Sequence, residues 1–230
     1  MFDLKGYGHL LLEGALVTIE VAICAMLVAI ALGLAGAAGK LSQNRIAHGI
    51  ANAYTVIIRG VPELVLMLLI YYGGTVLAQT LAATLFGNDQ PIDINNFIAG
   101  TLVIGFVYGA FATEVFRGAF QSIPKGQIEA AKACGMNKTQ VFHRIKLPQV
   151  WRFAIPGLGN VWLVLLKATA IISVIGLPEL TRQASIVMNP TRKPFTVFLI
   201  AAALYLAMTA VSDFVRHRLE RRAGLGIRRA

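Results

Sequence analysis

Hydrophobic positions gather in long blocks along this chain. Five blocks run nearly free of charge, and they are Val21–Gly39, Leu64–Asn88, Ile94–Thr113, Phe153–Pro178 and Pro194–Ser212. An α-helix needs about 20 residues to cross hydrocarbon. In lipid the backbone polar groups must be satisfied within their own segment, so each block is expected to be a helix. The pattern predicts an all-α integral membrane protein of about five transmembrane helices, forming a single domain over residues 1–230.

The first 20 residues are mildly amphipathic, because Glu13 and Glu20 lie among Leu, Val and Ile. We expect them to lie near the outer interface and to lead into the first span. The opening residues lack a basic stretch followed by a short apolar core and a cleavage site. This absence predicts that the first span stays in the membrane.

Charge sorts by loop, although the chain as a whole carries a net charge of +10. The loops after the first and third spans and the C-terminal tail are basic, whereas the second loop holds only Asp89 and Asp93. This alternation predicts an external N-terminus and a cytoplasmic C-terminus. The fourth loop, with Arg182, Arg192 and Lys193, is a mild exception. Because the positive charge follows the loops, it indicates a membrane protein and no nucleic-acid partner.

The polar stretch 121–149 differs from its surroundings because it reads as helical but contains no spanning run. Good helix formers occupy most of 127–134, and Gly135 then breaks the run. Asn137 followed by Gln140 has the form of a capping box, which opens a second short helix. The stretch therefore predicts a helix–glycine–helix elbow on the cytoplasmic side, a shape suited to docking.

Seven residues of the elbow form a spaced motif: Glu129, Ala130, Ala131, Gly135, Ile145, Leu147 and Pro148. They fill all seven positions of the EAA motif at its family spacing, so the sequence here resembles the permeases of bacterial ABC importers. In that family the elbow is a coupling helix that sits in a groove of the ATP-binding subunit. The resemblance implies that Ala130 and Ala131 allow close contact, that Gly135 supplies the turn and that Glu129 pairs with a basic group. The alternative is a surface helix pair with an accidental match.

Other stretches look like the polar amino acid branch of the same family, and they are residues 58–63, 114–119, 123–129 and 165–169. The likeness is closest to permeases for histidine, lysine, arginine and ornithine, with arginine and opine importers near them. It implies a bacterial inner-membrane subunit that assembles with a second permease chain, two ATPase subunits and an extracytoplasmic amino-acid-binding protein. One departure is that many relatives carry an acidic residue after Gly159-Asn160, where this chain has Val161-Trp162.

Candidates for the translocation path or its gate are Arg59, Glu63, Tyr71, Glu114, Asn160 and Lys167. An unpaired lysine inside a span costs about 2.5–3.5 kcal/mol on insertion scales, so Lys167 is expected to face protein or water. Either it lines the path, or it forms a structural ion pair or snorkels. Glu114 and Arg117 are three apart and can pair. Arg59 and Glu63 can form a gate or simply a satisfied helix start.

Two glycine patterns in the spans predict close helix packing: Gly33, Gly36 and Gly39 in the first, and Gly105 and Gly109 in the third. There is no GxxxxGK[ST] loop, so ATP is expected to bind to other chains and this chain needs no cofactor. Neither a nucleophile–base arrangement nor metal-ligand spacing occurs, so we expect no enzyme and no metal site. Two other functions remain open: a permease for glutamine- or glutamate-type amino acids, and an ATP-independent secondary transporter.

Overall fold

The computed structural model describes residues 6–86 and 95–223, and all regular structure within these ranges is helical. Four charged residues of the second loop and the tail, on which the predicted orientation partly depends, lie outside these ranges: Asp89, Asp93, Arg228 and Arg229. The α-helices are α1 Gly8–Lys40, α2 Arg45–Gly60, α3 Glu63–Phe86, α4 Asn96–Gln121, α5 Lys125–Ala133, α6 Lys138–Gln140, α7 Leu147–Ala168, α8 Leu180–Thr191 and α9 Pro194–Ala223. A π-helical turn, Val141–Lys146, joins α6 to α7, and a 3-10 stretch, Thr169–Ile175, follows α7.

Five of the described helical segments are long and apolar enough to cross a membrane: Gly8–Lys40, Glu63–Leu85, Asn96–Gln121, Lys138–Ile175 and Pro194–Ala223. The predicted number of spans is therefore confirmed. The first is longer than predicted, because from Gly8 onward the amphipathic lead-in is part of α1. Leu11 and Ala15 of these early turns are buried in one cluster with Leu180 and Ala184 of α8.

Helix α4 lies at the centre of the bundle and packs most closely against α1. Small residues bring the two backbones together: a Cβ on Gly33 would lie 2.6 Å from Cβ of Ala112. A Cβ on Gly105 would meet Val28 at 2.6 Å, and one on Gly109 would meet Leu32 at 2.9 Å. The glycine patterns of the two spans are thus close-packing surfaces, as predicted.

The first connection is a helix, α2, where the sequence indicated only a cytoplasmic connection. Asn44 caps it by accepting a hydrogen bond from the backbone N–H of Ile46 at 2.9 Å. One face is buried through Ala51, Thr55 and Ile58. Because these positions recur at helical spacing, α2 packs along its length against α1 and α4.

The fourth connection contains α8, which the sequence analysis left as a loop. Its N-cap residue Glu179 is fully buried and accepts hydrogen bonds from the N–H groups of Thr181 and Arg182 at 2.9 and 2.8 Å. Tyr205 of α9 donates a third at 3.1 Å, and the N–H of Leu180 donates to Thr18 of α1. Burial raises the pKa of the Glu179 carboxyl, although the hydrogen bonds that this carboxyl accepts oppose the rise. The carboxylate therefore ties α8 to α9.

Candidate functional site

The elbow turns where predicted, at Gly135. The N–H of Met136 donates to the carbonyl of Ala131 at 3.1 Å, and the N–H of Gly135 donates to that of Lys132 at 2.9 Å. These two bonds form a Schellman motif, which requires a left-handed residue at the turn. Gly135 has φ of +79°, a conformation that only glycine adopts without strain.

The second half of the elbow begins with the predicted capping box. Asn137 Oδ1 accepts from the N–H of Gln140, and Gln140 Oε1 accepts from the N–H of Asn137, both at 2.9 Å. Helix α6 then continues through the π-helical turn into α7 without a break. Pro148 lies in the first turn of α7 and lacks the N–H that would continue the backbone hydrogen bonds of the π-helical turn. The elbow is thus joined to span four as one helical rod.

The seven motif residues divide between the surface and the interior of the elbow. Four of them are exposed, and they are Glu129, Ala130, Gly135 and Pro148, while Ile145 and Leu147 are half-buried. Ala131 is only 6% exposed. Within this chain Ala131 therefore faces the interior of the elbow, whereas Ala130 is open to a partner. Glu129 and Ala130 form the outward face that a partner could contact.

A second candidate surface is an exposed stripe along α7. Its members recur every three or four residues, so they share one helix face: Phe153, Pro156, Asn160, Val164 and Lys167. We call these five residues the α7 stripe. The ammonium group of Lys167 forms no hydrogen bond or ion pair with another residue of the described ranges. The stripe therefore carries a polar amide and an ammonium group on the outside of a membrane-spanning helix.

Arg59 and Glu63 contact the face of α4 against which α7 also packs. Tyr108 of α4 donates to Glu63 Oε1 at 2.9 Å, and the Arg59 guanidinium lies 5.3 Å from the centre of the Phe111 ring. One turn further along α4, a Cβ on Gly157 of α7 would lie 2.7 Å from Val115. The two charged residues do not pair with each other. They border one side of the bundle together with the start of α7.

Tyr71 and Glu114 make structural contacts. The Tyr71 hydroxyl donates to Asn96 Oδ1 at 2.8 Å, which joins α3 to the start of α4. Glu114 accepts from Lys40 of α1 and, at 2.8 Å, from Arg117. The pairing of Glu114 with Arg117 is as predicted, and Lys40 extends it to a second helix. Both carboxylate oxygens are engaged, which favours the structural interpretation of Glu114.

Three features of these surfaces were not apparent in the sequence. Val161, at the position that many relatives fill with an acidic residue, is 7% exposed and lies in the core, so it is not part of the α7 stripe. Glu179 lies in the fourth connection, and the sequence indicated neither its burial nor its contact with Tyr205 of α9. Lys40 follows the first apolar block, and its pairing with Glu114 was not apparent because 74 positions separate the two residues.

Comparison with known proteins places the chain in a family. Residues 28–224 match the family described as "Binding-protein-dependent transport system inner membrane component". The chain is 47% identical over 227 residues to the histidine/lysine/arginine/ornithine transport system permease protein HisQ of Escherichia coli (strain K12), covering 99% of both chains. It is 42% identical over 228 residues to the octopine transport system permease protein OccQ of Rhizobium radiobacter, covering 99% of this chain and 96% of the relative.

Solved structures agree with this assignment. One chain of an amino acid ABC transporter solved with histidines superposes with a TM-score of 0.81 at 32% identity, covering 96% of this chain and 99% of that one. The inward-facing MetNI methionine ABC transporter gives a TM-score of 0.73 at 18% identity, over 94% of this chain and 97% of that one, which is a likeness of fold alone. On these grounds the protein belongs to the inner membrane components of binding-protein-dependent transport systems.

Proposed function

We propose that this chain is the permease subunit of an ATP-driven importer of polar amino acids, and that its substrates are basic: histidine, arginine, lysine, ornithine or opines. The observation that carries the proposal is the elbow, which presents the motif of ABC importer permeases on a chain similar to such permeases from end to end. The relatives named for basic amino acids and octopine support this substrate class over glutamine or glutamate.

The elbow is the docking piece for an ATP-binding subunit. Glu129 and Ala130 are exposed on α5, so a carboxylate and a small methyl group can enter a groove and meet a basic side chain there. Gly135 sets the angle between α5 and α6 through its left-handed backbone. ATP binds and is hydrolysed on the partner subunits, and this chain has no cofactor of its own.

The path through the membrane lies between this chain and a second permease. A lysine on the outside of an isolated span is costly, and it is tolerated where it faces protein or water. The α7 stripe therefore belongs to the side of the chain that meets the partner. An ammonium group at Lys167 repels a cationic substrate, so the partner supplies the acidic pocket and the two permeases form an asymmetric pair.

The orientation follows the charge pattern, with the N-terminus outside and the C-terminus in the cytoplasm. Lys40, Arg117 and the arginines at the end of α9 then lie on the cytoplasmic side with the elbow. A reporter that is active only in the cytoplasm, fused after Ala230, should be active. Silence from a correctly inserted fusion would overturn this orientation.

Co-purification tests the class of transporter. The full chain, expressed with the genes of its transport system and affinity-purified, should retain an ATP-binding subunit, and vesicles holding the complex should accumulate arginine only with ATP and the binding protein. An ATP-independent secondary transporter would instead show uptake by this chain alone. Competition by glutamine, without competition by lysine or ornithine, would contradict the substrate class.

A further inference from the structure

An apolar groove runs between α1 and α9, with α7 as its floor. Its volume is about 440 Å³, and apolar residues form most of its lining: Met26, Ile30, Ile155, Trp162, Val215 and Leu219. The Arg216 side chain also lines it and lies against Gly159 of α7. This volume falls within the range of about 300–1,000 Å³ that is usual for small-molecule sites. All three helices belong to segments that are long and apolar enough to cross a membrane, so the groove lies at membrane depth.

The groove lies on the flank of α7 that faces away from the α7 stripe. Ile155, Leu158 and Trp162 line it, whereas Pro156, Asn160 and Lys167 form the stripe. At 3.6 residues per turn, the centres of these two sets are about 150° apart around the helix axis. A partner that covers the stripe therefore leaves the groove open to the bilayer. The neighbouring exposed side chains of α1 are also apolar, Ile23 and Leu27 among them.

Positive charge gathers at one end of the groove. Arg222 follows Val215 by seven residues and extends the same face of α9. Arg218 lies at the border of that face, with its guanidinium 4.5 Å from the centre of the Phe214 ring, and both arginines are exposed. Residues 213–222 contain four arginines against two carboxylates. Arg216 contributes little to a ligand, since it already pairs with Asp213 and Glu220 at 2.6 and 2.9 Å.

An aromatic residue, Trp151, lies at the end of the groove floor where the arginines gather. Trp151 precedes Ile155 by four residues and Trp162 by eleven, which sets all three along one face of α7. It is 38% exposed and meets Phe116 edge-on, with ring centroids 5.7 Å apart. Tryptophan concentrates where hydrocarbon meets the headgroups. The apolar groove thus ends at an aromatic ring and a cluster of arginines.

We propose that this groove is a binding site for a phospholipid with an anionic headgroup. One acyl chain lies along α7 between α1 and α9, and the phosphate lies against Arg218 and Arg222. Each basic residue near a membrane surface favours an anionic lipid by about fivefold. The site depends on the membrane placement of the helices and not on the proposed substrate.

Native mass spectrometry of the delipidated full chain tests the proposal. Phosphatidylglycerol and phosphatidylethanolamine with the same acyl chains are added at equal concentrations, and we expect several-fold more phosphatidylglycerol to bind. Changing Arg218 and Arg222 together to Gln should lower phosphatidylglycerol binding to the level of phosphatidylethanolamine. Changing both to Lys should restore most of it. Equal binding of the two lipids, or no effect of the glutamine pair, would overturn the anionic headgroup.

A second measurement locates the acyl chain. A phosphatidylglycerol carrying a photoreactive diazirine near the end of its acyl chain should crosslink to peptides of α1, α7 and α9 around the groove. Val215→Trp, which fills the groove, should reduce this crosslinking, whereas Leu27→Trp on the neighbouring apolar face of α1 should not. Crosslinks spread evenly over the apolar surface, or confined to a second protein chain in the assembled complex, would refute the site.

Discussion

Helix α4 and the pair α3 and α9 are all apolar enough to span a membrane, yet they are used in opposite ways. In the most apolar stretch of α4, 67% of the residues are buried within the chain, against 11% in α3 and in α9. Helix α4 is held by glycines against α1 and by the cluster of Glu114 with Lys40 and Arg117. Helices α3 and α9 leave most of their surface uncovered by the rest of the chain.

The difference shows that hydrophobicity alone does not reveal the role of a span. In lipid, apolar surface gains little from burial, and close approach of small residues drives association instead. The α1–α4 pair has these residues and forms the scaffold. A Cβ on Gly73 or Gly74 of α3 would meet no described atom within 4 Å, so these glycines leave their surface available to a partner.

The largest effect should come from filling the α1–α4 contact. A Cβ on Gly33 would lie 2.6 Å from that of Ala112 and 3.0 Å from its backbone carbon, so Gly33→Leu forces the helices apart. Overpacking by extra methylenes typically costs about 1–3 kcal/mol, and a whole leucine side chain against the backbone of α4 is expected to cost more. We expect the variant to lose its melting transition and its monodisperse peak after extraction. Gly73→Leu on α3 should behave like the unmodified chain, and equal losses in both would contradict the division into scaffold and open surface.

A change in the elbow should remove function and leave the scaffold intact. Gly135→Asp adds a negative charge to the proposed docking face, on a left-handed residue where Asp and Asn are strained less than other side chains. The variant should reach the membrane at normal levels, while uptake and co-purification of the ATPase are lost. Asn tolerates the left-handed conformation, so Gly135→Asn should retain part of the activity.

The exposed Gly126 of α5 offers the matched control for added charge. Its backbone is not left-handed, and a Cβ there meets nothing within 4 Å. Gly126→Asp should therefore keep the ATPase bound. Full transport by Gly135→Asp would remove the turn from the mechanism.

A smaller effect should follow from neutralising the ion cluster of the scaffold. Glu114→Gln leaves Lys40, whose side chain is only 9% exposed, without its counter-charge. Loss of a hydrogen bond between charged groups is expected to cost about 1–3 kcal/mol. The melting temperature should fall more than in Asp213→Asn, because Asp213 on α9 is far more exposed. Equal shifts in the two variants would show that the α1–α4 cluster is no stronger than a surface pair.

The smallest effect should be on the α7 stripe. Lys167→Met removes the charge that opposes a cationic substrate, a repulsion of about 1 kcal/mol for unit charges 4 Å apart in water. We expect the KM for arginine uptake to fall by less than about tenfold. Val164→Met on the same stripe serves as the control. A rise in KM for arginine would indicate that Lys167 assists binding.

The sequence predicted the spans and the elbow because both depend on local pattern. Uninterrupted apolar runs define the spans, and Asn137, Gln140 and Gly135 define the elbow through hydrogen bonds with close neighbours. Helices α2 and α8 were missed because they are short and only one face of each is apolar. Their helical form depends on packing against α1, α4 and α9.

The candidate site was predicted only in part. The motif identified the outward residues Glu129 and Ala130, but the burial of Ala131 depends on how the elbow folds onto itself. Asn160 and Lys167 are seven residues apart, so spacing already indicates a shared face. The pairing of Glu114 with Lys40 and the contact of Glu179 with Tyr205 could not be predicted, since these partners lie 74 and 26 positions away.

The unbroken connection from α6 through the π-helical turn into α7 gives the protein a lever. From Lys138 to Ala168 the rod is about 45 Å long at 1.5 Å per residue. A tilt of about 5° applied at the elbow would displace the far end of such a rod by about 4 Å. If a partner subunit tilted the elbow, the rod would carry that movement to Lys167 as a sideways displacement.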